Sequence, residues 1–585
     1  MPPGITERIF SIFSYFTKHL RKRDRELNII VLYLHCTPKK LKRGNNMKRG
    51  NNMKRKLLVS LVAAVTALSL TACSTPNELS TSSGDKPNDR SASSEGSALS
   101  GDQSNDAAVK NEVKSPKYVF LFIGDGMSYP QFQAAADYLG AVADPDYMQA
   151  EPSVKDRQGA KLDGPKALNF MNFPVAGSAV TYDSCSFAPD SASTATSIAT
   201  GYKTYSGMIN TDETGTKTYE TIAEKLHDQK NWKIGVISSV NLNHATPAAF
   251  YAHQASRNNY YEIGVEMVNS GFEYFAGGAL KKPTGNDKDK KDLYEIAAEA
   301  GYKVTTTQAD AEKIAAGDKK VILIDEHLAD SDAMDYELDR GEGEWALADY
   351  VEKGIEVLNN DTGFFMMCEG GKIDWACHAN DAGATVTDTL ALADAVQVAV
   401  DFAKQHPEET LILVTGDHET GGLTIGYAGT DYDTYLSNLT SQTISFAQFD
   451  EQYVAGYKEN GTSFEDAMKD VENLFGLKIA GDADDRLVLT EYEVQRLKNA
   501  YALAMSDYDS DTYSQEQYVL YGTYNPFSVT VTHILNNKSG IDFTSYSHTG
   551  LPVAVFADGI GAEAFTGYYD NTQIYTKLAS MLEVK

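Results

Sequence analysis

Five short runs of apolar, mostly β-branched or aromatic residues stop abruptly at a polar or glycine-rich turn. They are Tyr118–Ile123 before Gly124-Asp125-Gly126, Lys233–Ile237 before Ser238-Ser239, and Gly363–Cys368 before Glu369-Gly370-Gly371. Thr410–Thr415 before Gly416-Asp417-His418 and Pro552–Phe556 before Ala557-Asp558-Gly559 complete the set. Runs without polar alternation predict strands buried on both faces. Between them lie stretches with helical periodicity, among them Tyr219–Lys230 and Val386–Lys404. Strands alternating with helices predict an α/β three-layer sandwich, its central sheet largely parallel and flanked by helices. Ligands of such sheets bind beyond the carboxyl ends of the strands, where the acidic residues and histidines of this chain collect. From about 428 to 526 the rhythm breaks into a segment rich in Tyr, Asp, Glu and Ser with one helical portion, Leu489–Met505. It reads as an insertion over the active site. Asp482 to Glu493 echoes a calcium loop, but Arg486 takes a ligand place and the turn glycine is missing, which rejects an EF-hand.

Charge divides the chain in two. Residues 1–72 hold 15 Lys/Arg against 3 Asp/Glu, leaving 37 against 78 in the remainder. So acidic a body argues against a nucleic-acid partner, because it lacks the cationic surface that displaces counterions. It also repels phosphate, so a phosphate site here needs strong local positive charge. The basic end reads as targeting. Met53-Lys54-Arg55-Lys56 followed by Leu57–Leu70 has the form of a signal peptide spanning 53–72, too short for a comfortable membrane span. It ends in Leu70-Thr71-Ala72-Cys73, which resembles a bacterial lipobox and implies lipidation of Cys73. The chain is thus expected to be an extracytoplasmic lipoprotein that touches the membrane only through its lipid. The tandem Lys-Arg-Gly-Asn-Asn-Met at 42–53 suggests that 1–52 is upstream sequence read as coding, with Met53 the true start. Residues 73–112 are too polar to bury a core and read as a flexible tether, with the folded domain at 113–585. Cys185, Cys368 and Cys377 remain; a Cys368–Cys377 disulfide is open, but small semi-buried thiols are the expectation.

Candidate chemistry lies in separate segments. Asp190-Ser191 opens an Ala/Ser/Thr-rich helix closed by Gly201, where free N–H groups and the helix dipole favour negative charge. The pair suits either an ordinary cap or a nucleophile attacking phosphate. Asp125, Glu369, Asp374, His378, Asp417, His418 and His548 supply carboxylates and imidazoles, and Asp374 and His378 share a helical face at i, i+4. Mixed carboxylate and imidazole donors suit zinc; carboxylate, hydroxyl and water suit magnesium.

Phe122-Ile123-Gly124-Asp125-Gly126-Met127, Asp190-Ser191-Ala192…Thr194-Ala195, Thr200-Gly201-Tyr202-Lys203-Thr204, Gly416-Asp417-His418 and Ser547-His548-Thr549-Gly550 together resemble the alkaline phosphatase family, over roughly 115–585. The resemblance implies hydrolysis of small phosphate monoesters through a phosphoserine at Ser191. It implies one zinc on Asp374, His378 and His548, a second on Asp417, His418 and Asp125, and a third metal, usually magnesium, on Asp125, Glu369 and Thr246. Arg257 would grip phosphate with its planar fork, oriented by Asp190. An alkaline optimum would follow from a nucleophile that works deprotonated, and a homodimer stays open. Two positions depart from part of the family. His244 stands where some relatives have an aspartate near magnesium, and imidazole is a poorer magnesium ligand, so the third metal's identity is left open. Trp375 stands where some relatives carry a lysine that reaches phosphate, and it supplies no charge. A sulfatase modification motif is missing at Cys185-Ser186-Phe187-Ala188-Pro189. A phosphodiesterase preference and a catalytically dead binding protein are the alternatives.

Overall fold

A computed structural model describes residues 115–143, 162–482 and 484–585. The readings made for 1–112, namely the upstream start, signal peptide, lipidated Cys73 and tether, lie outside the described residues. One ten-stranded sheet organises the rest. Its strands are β1 Tyr118–Gly124, β2 Val175–Val180, β3 Lys233–Asn241, β4 Tyr274–Gly278 and β5 Lys303–Thr305. They continue with β6 Val321–Ile324, β7 Phe364–Gly370, β8 Thr410–Gly416, β9 Val553–Gly559 and β10 Gly567–Asp570. Their spatial order is β10-β2-β9-β8-β1-β7-β3-β4-β6-β5. Every pairing is parallel except the two made by β9, which runs against both β8 and β2. All five predicted strands are present, each extended at the turn end; of the strands outside that prediction, β2, β4, β5 and β10 carry weaker patterns and β6 is an apolar run of only four residues.

The apolar runs behave as their lack of alternation requires. Along β1, Phe120 and Phe122 enter a core with Phe364, Met366, Ile412 and Val414, while Val119, Leu121 and Ile123 enter the opposite core with Phe365, Leu411 and Leu413. Each fully buried side chain of this size stabilises the fold by about 1.5–3 kcal/mol, so a polar residue on either face is costly. The long helix Ala382–Gln405 covers the first face through Leu392, Val396 and Phe402. Helices Ser191–Thr200, Ile222–Lys230 and Thr572–Met581 cover the second through Ala195, Ile198, Leu226 and Leu578. The helix predicted from Tyr219 begins at Ile222, because Thr221 caps it and Glu224 completes a capping box.

Residues 428–526 fold into short helices, among them Phe446–Phe449, Phe464–Phe475 and Glu491–Ala504. Ala500 and Tyr521 form a small buried cluster with Val529, but most of the helices' buried residues belong to the main core. Phe449, Phe475, Leu497 and Tyr501 join Phe527 in the same buried cluster that lines the first face of the sheet. The insertion is therefore fused to the main body.

Candidate active site

Three strand ends meet through register. Gly124 at the end of β1 pairs with Gly370 of β7 on one side and Gly416 of β8 on the other, which sets Asp125, Glu369 and Asp417 around one point. All three are fully buried. The approach is tight enough to require glycine: Gly126 has φ +72°, and a Cβ there would come within 3.0 Å of Asp374. Because β9 is antiparallel, its beginning lies at the edge where the parallel strands end, and His548 arrives there just ahead of it.

Hydroxyls hold the carboxylates in place. Thr194 Oγ1 donates to Asp417 Oδ2 at 2.9 Å, Thr246 Oγ1 to Asp125 Oδ2 at 3.3 Å, and the Ser238 hydroxyl to Glu369 Oε2. Glu369 Oε1 is buried without a partner. Burial, reinforced by neighbouring carboxylates, pushes Asp125 up to about 6, Glu369 to about 7 and Asp417 to about 8. Burial alone would lower His418, but Asp417 and Asp125 outweigh it and raise the imidazole to about 10. Such a cluster is short of positive charge.

Asp190 is both cap and clamp. In extended conformation, it accepts the Ser193 N–H at 3.1 Å through Oδ1 and Arg257 Nη1 at 2.8 Å through Oδ2. Burial would raise its carboxyl, yet the Arg257 guanidinium and these hydrogen bonds hold it below the usual range. Ser191, almost fully buried, opens the ten-residue helix with Oγ 3.1 Å from His418 Nε2 and 3.5 Å from Asp125 Oδ1. Arg257 Nη2 also reaches His244 Nε2 at 3.3 Å. A guanidinium only donates, so that nitrogen accepts and the proton sits on Nδ1, which is buried without a partner. Burial and Arg257 push His244 down to about 3, keeping it neutral.

The second histidine pair is arranged for something absent from the protein itself. His378 Nδ1 faces the Tyr546 carbonyl at 2.7 Å, and His548 Nδ1 faces the Pro189 carbonyl at 2.5 Å. Both Nδ1 atoms must therefore carry hydrogen, so in the neutral rings both Nε2 atoms present lone pairs. Those two nitrogens face each other across 3.1 Å, so either a cation lies between them or one ring takes a second proton, which Asp374 favours at His378 and burial disfavours at His548. Asp374 lies beside them, its carboxylate oxygens 3.3 Å from His378 Nε2 and 3.6 Å from His548 Nε2, on the short helix Lys372–His378 that the i, i+4 spacing anticipates. Opposed lone pairs beside a carboxylate fit a bound cation. Donor atoms of Asp374, His418 and His548 lie within 4.8 Å of one another, as do those of Asp125, Asp417 and His418. The residues expected to form the site are thus gathered in one place, with His418 facing both groups. Trp375 follows Asp374, its ring centroid 5.9 Å from that of His244.

Several participants were not legible beforehand. Thr194, Thr420 and Ser238 orient site carboxylates, and Thr420 Oγ1 donates to Asp374 Oδ1 at 2.5 Å. Thr194 lies within a quoted motif and Thr420 two residues beyond Gly416-Asp417-His418, but a threonine in such a stretch carries no signal of its own. The cysteines differ from the semi-buried expectation: Cys368 and Cys377 are fully buried free thiols and Cys185 is exposed. Cys368 lies in an apolar strand and Cys377 on the inner side of its helix, whereas Cys185 falls in a surface turn.

A serine at a helix N-terminus, beside carboxylate–imidazole clusters at the carboxyl edge of a mostly parallel sheet, marks a metal-assisted hydrolase. The alkaline phosphatase family profile matches residues 116–584, and the chain belongs to that family, whose members are phosphomonoester hydrolases. Alkaline phosphatase 4 of Bacillus subtilis is 29% identical over 480 residues, covering 80% of this chain and 90% of the relative. Alkaline phosphatase 3 of the same organism is 28% identical over 483 residues, covering 81% and 90%. Among solved structures, the cold-active enzyme of a Shewanella species superposes with a TM-score of 0.62 at 27% identity, over 80% of this chain and 99% of the other. A variant of the enzyme from the Antarctic bacterium TAB5, described with Mg bound in the M3 site, gives 0.53 at 25% identity over 81% and 100%.

Proposed function

We propose that this protein releases phosphate from monoesters through a phosphoserine at Ser191, with two zinc ions and a magnesium ion. The observation that carries the reading is the position of Ser191 Oγ, 3.1 Å from His418 Nε2 at the N-terminus of its helix and flanked by the Asp190–Arg257 pair. Asp374, His378 and His548 would hold one zinc, Asp125, Asp417 and His418 the second, and Asp125, Glu369 and Thr246 the magnesium. The opposed Nε2 atoms and the unpartnered Glu369 Oε1 support those assignments. Bound there, divalent cations supply Lewis acidity to the ester and attacking oxygens and the positive charge the carboxylates lack. The magnesium described in the M3 site of the TAB5 variant supports the third site by analogy.

The chain's own residues supply the rest. Free N–H groups at the start of the Ser191 helix favour the serine alkoxide and then the phosphoseryl group. Arg257 spends Nη1 on Asp190, which fixes the plane of its fork and leaves donors for two non-bridging phosphate oxygens. Attack of Oγ on phosphorus breaks the ester P–O bond and the alcohol departs with a proton. Water then attacks the phosphoserine, returning Ser191 and releasing inorganic phosphate. A diester has two terminal oxygens and a monoester three; the fork and the third-metal residues together would contact the additional one, which favours a monoester. The lipobox at Leu70–Cys73 supports an extracytoplasmic setting, with the enzyme tethered to the membrane through Cys73.

The test is hydrolysis of an aryl phosphate, an aryl phosphodiester and an aryl sulfate by wild type, Ser191→Ala and chelator-treated protein. Monoester turnover should dominate, require metal, and fall by at least about a thousandfold in Ser191→Ala. Unchanged monoesterase activity in that variant would refute the mechanism.

A further inference from the structure

A cavity of about 850 Å³ opens against the reacting centre, with His378 and Trp375 in one wall and the 428–526 insertion forming another. Phosphate alone needs far less room; this volume falls in the range that encloses whole small-molecule ligands. Its chemistry is unevenly distributed.

Lys281 stands on the reacting-centre side. Its backbone is fixed beside His244 by both ends of the Asn243 amide, which accepts the Lys281 N–H at 2.8 Å and donates to its carbonyl at 2.9 Å. Its ammonium, 5.9 Å from the Trp375 ring centroid, makes no hydrogen bond or ion pair among the described residues. With Arg257 it gives this side a positive character suited to the phosphoryl group.

The remaining walls are acidic and aromatic. Asp339, Asp450 and Glu451 line the cavity, and none has a cation within ion-pair distance among the described residues. Asp339 accepts the Ser445 N–H at 2.7 Å and Asp450 the Ser528 hydroxyl, while Glu451 is exposed. Burial raises Asp339 to about 6 and Asp450 to about 7, so both are ionised at alkaline pH. Asp330 is different, because it is already matched. The buried Lys372 ammonium lies 3.6 Å from its Oδ2, 3.8 Å from the Tyr336 ring centroid and 4.9 Å from that of Trp375. The protein thus places one ammonium behind these rings, and Phe446, Tyr508 and Tyr524 offer further aromatic surface inside the cavity.

We propose that this cavity holds the leaving-group half of the substrate and selects phosphate monoesters whose alcohol carries an ammonium group, as a phosphorylated amino alcohol does. This inference rests on the phosphomonoesterase reading above. Phosphate would face Arg257 and Lys281, the ammonium would face the three unmatched carboxylates and the rings, and hydrolysis would release amino alcohol and phosphate. The insertion is then the element that sets specificity.

The experiment compares kcat/KM of the metal-loaded enzyme for phosphocholine and for 3,3-dimethylbutyl phosphate, in which carbon replaces the charged nitrogen. Phosphoglycolate supplies an anionic leaving group, and 4-nitrophenyl phosphate reports the underlying activity. Phosphocholine should exceed its neutral isostere by about tenfold, the size of one desolvated cation contact, and phosphoglycolate should be poorest. The preference should shrink at high salt and fall to less than about threefold in Glu451→Gln combined with Asp450→Asn. Glu451→Gln alone, at an exposed position, should lower it in the same direction if the double variant fails to fold. Phosphocholine and its isostere within about twofold of each other, with 4-nitrophenyl phosphate turned over, would overturn the cavity assignment alone. Failure to hydrolyse any of the four esters would overturn the enzymatic reading and the assignment with it.

Discussion

Glu369→Gln changes a single charge and should act with opposite signs depending on metal. In the metal-free protein the Glu369 carboxyl is fully buried with Oε1 unpartnered, and burial raises it from an ordinary 4.5 to about 7. A group that keeps its proton longer when folded costs stability as pH rises past its unfolded value. The cost begins near pH 4.5 and is complete above pH 7. At about 1.4 kcal/mol per pH unit the penalty at pH 8 is about 3 kcal/mol. Glutamine retains an acceptor for the Ser238 hydroxyl and removes the charge. Chelated Glu369→Gln should therefore be more stable than chelated wild type by up to about 3 kcal/mol at pH 8, and nearly equal to it at pH 4. For a domain matching residues 116–584, unfolding entropy of about 2 cal/mol/K per residue makes that roughly 3 °C in Tm. With saturating magnesium the order should reverse, because wild type gains a ligand that the variant lacks. Thermal melts at both pH values, chelated and replete, decide it. Equal destabilisation of the variant at pH 8 with and without metal would refute the claim that uncompensated charge dominates this position.

Arg257→Lys keeps the charge but loses the fork, and should lower kcat/KM by about 10–100-fold while weakening inhibition by phosphate. His244→Asp replaces a neutral imidazole, held near 3 by burial and Arg257, with a hard oxygen donor; it should tighten magnesium binding to the stripped protein by at least about tenfold, read by calorimetry. Cys73→Ser should abolish incorporation of labelled fatty acid and release the protein from the membrane fraction; retained labelling would remove the lipoprotein reading.

The parts of this structure legible in the sequence share one property: their pattern is local. The apolar runs at 118–123 and 410–415 announce strands because nothing polar interrupts them, and they end at the glycines that the register pairs, Gly124 with Gly416. Asp374 and His378 announce a helical face by spacing alone. What escaped is set by tertiary neighbours. Nothing near Thr194 shows that its hydroxyl serves Asp417, 223 residues away. Nothing near Val553 shows that its strand runs antiparallel, although that reversal brings His548 to the site. The weak strands β5 and β10 pair along only one side, at the two sheet edges, so burial imposes less pattern on them. The insertion is clear as a break in rhythm, but its contribution of Asp450 and Tyr508 to a cavity beside His378 emerges only from packing.

The same geometry explains why so acidic a protein can be built to bind an anion. Apart from Arg257 and Lys281, the ionisable residues converging on the reacting centre are carboxylates and imidazoles, and the metal-free cluster strains in two ways at once. Burial drives Asp125, Glu369 and Asp417 toward holding protons, while it drives His548 down to about 3 and leaves its Nε2 bare against a His378 that must take up a second proton beside Asp374 or oppose it. Extra lysines would relieve the carboxylates but not the opposed imidazoles. Divalent cations relieve both, since they satisfy lone pairs and carboxylates through the same bonds. Part of the binding free energy is offset by this pre-existing repulsion, and the remainder stabilises the fold. The negative body and the positive site are then compatible: the fold concentrates acidity where metals convert it to positive charge, and leaves acidity unconverted at Asp339, Asp450 and Glu451, where an ammonium on the substrate would meet it.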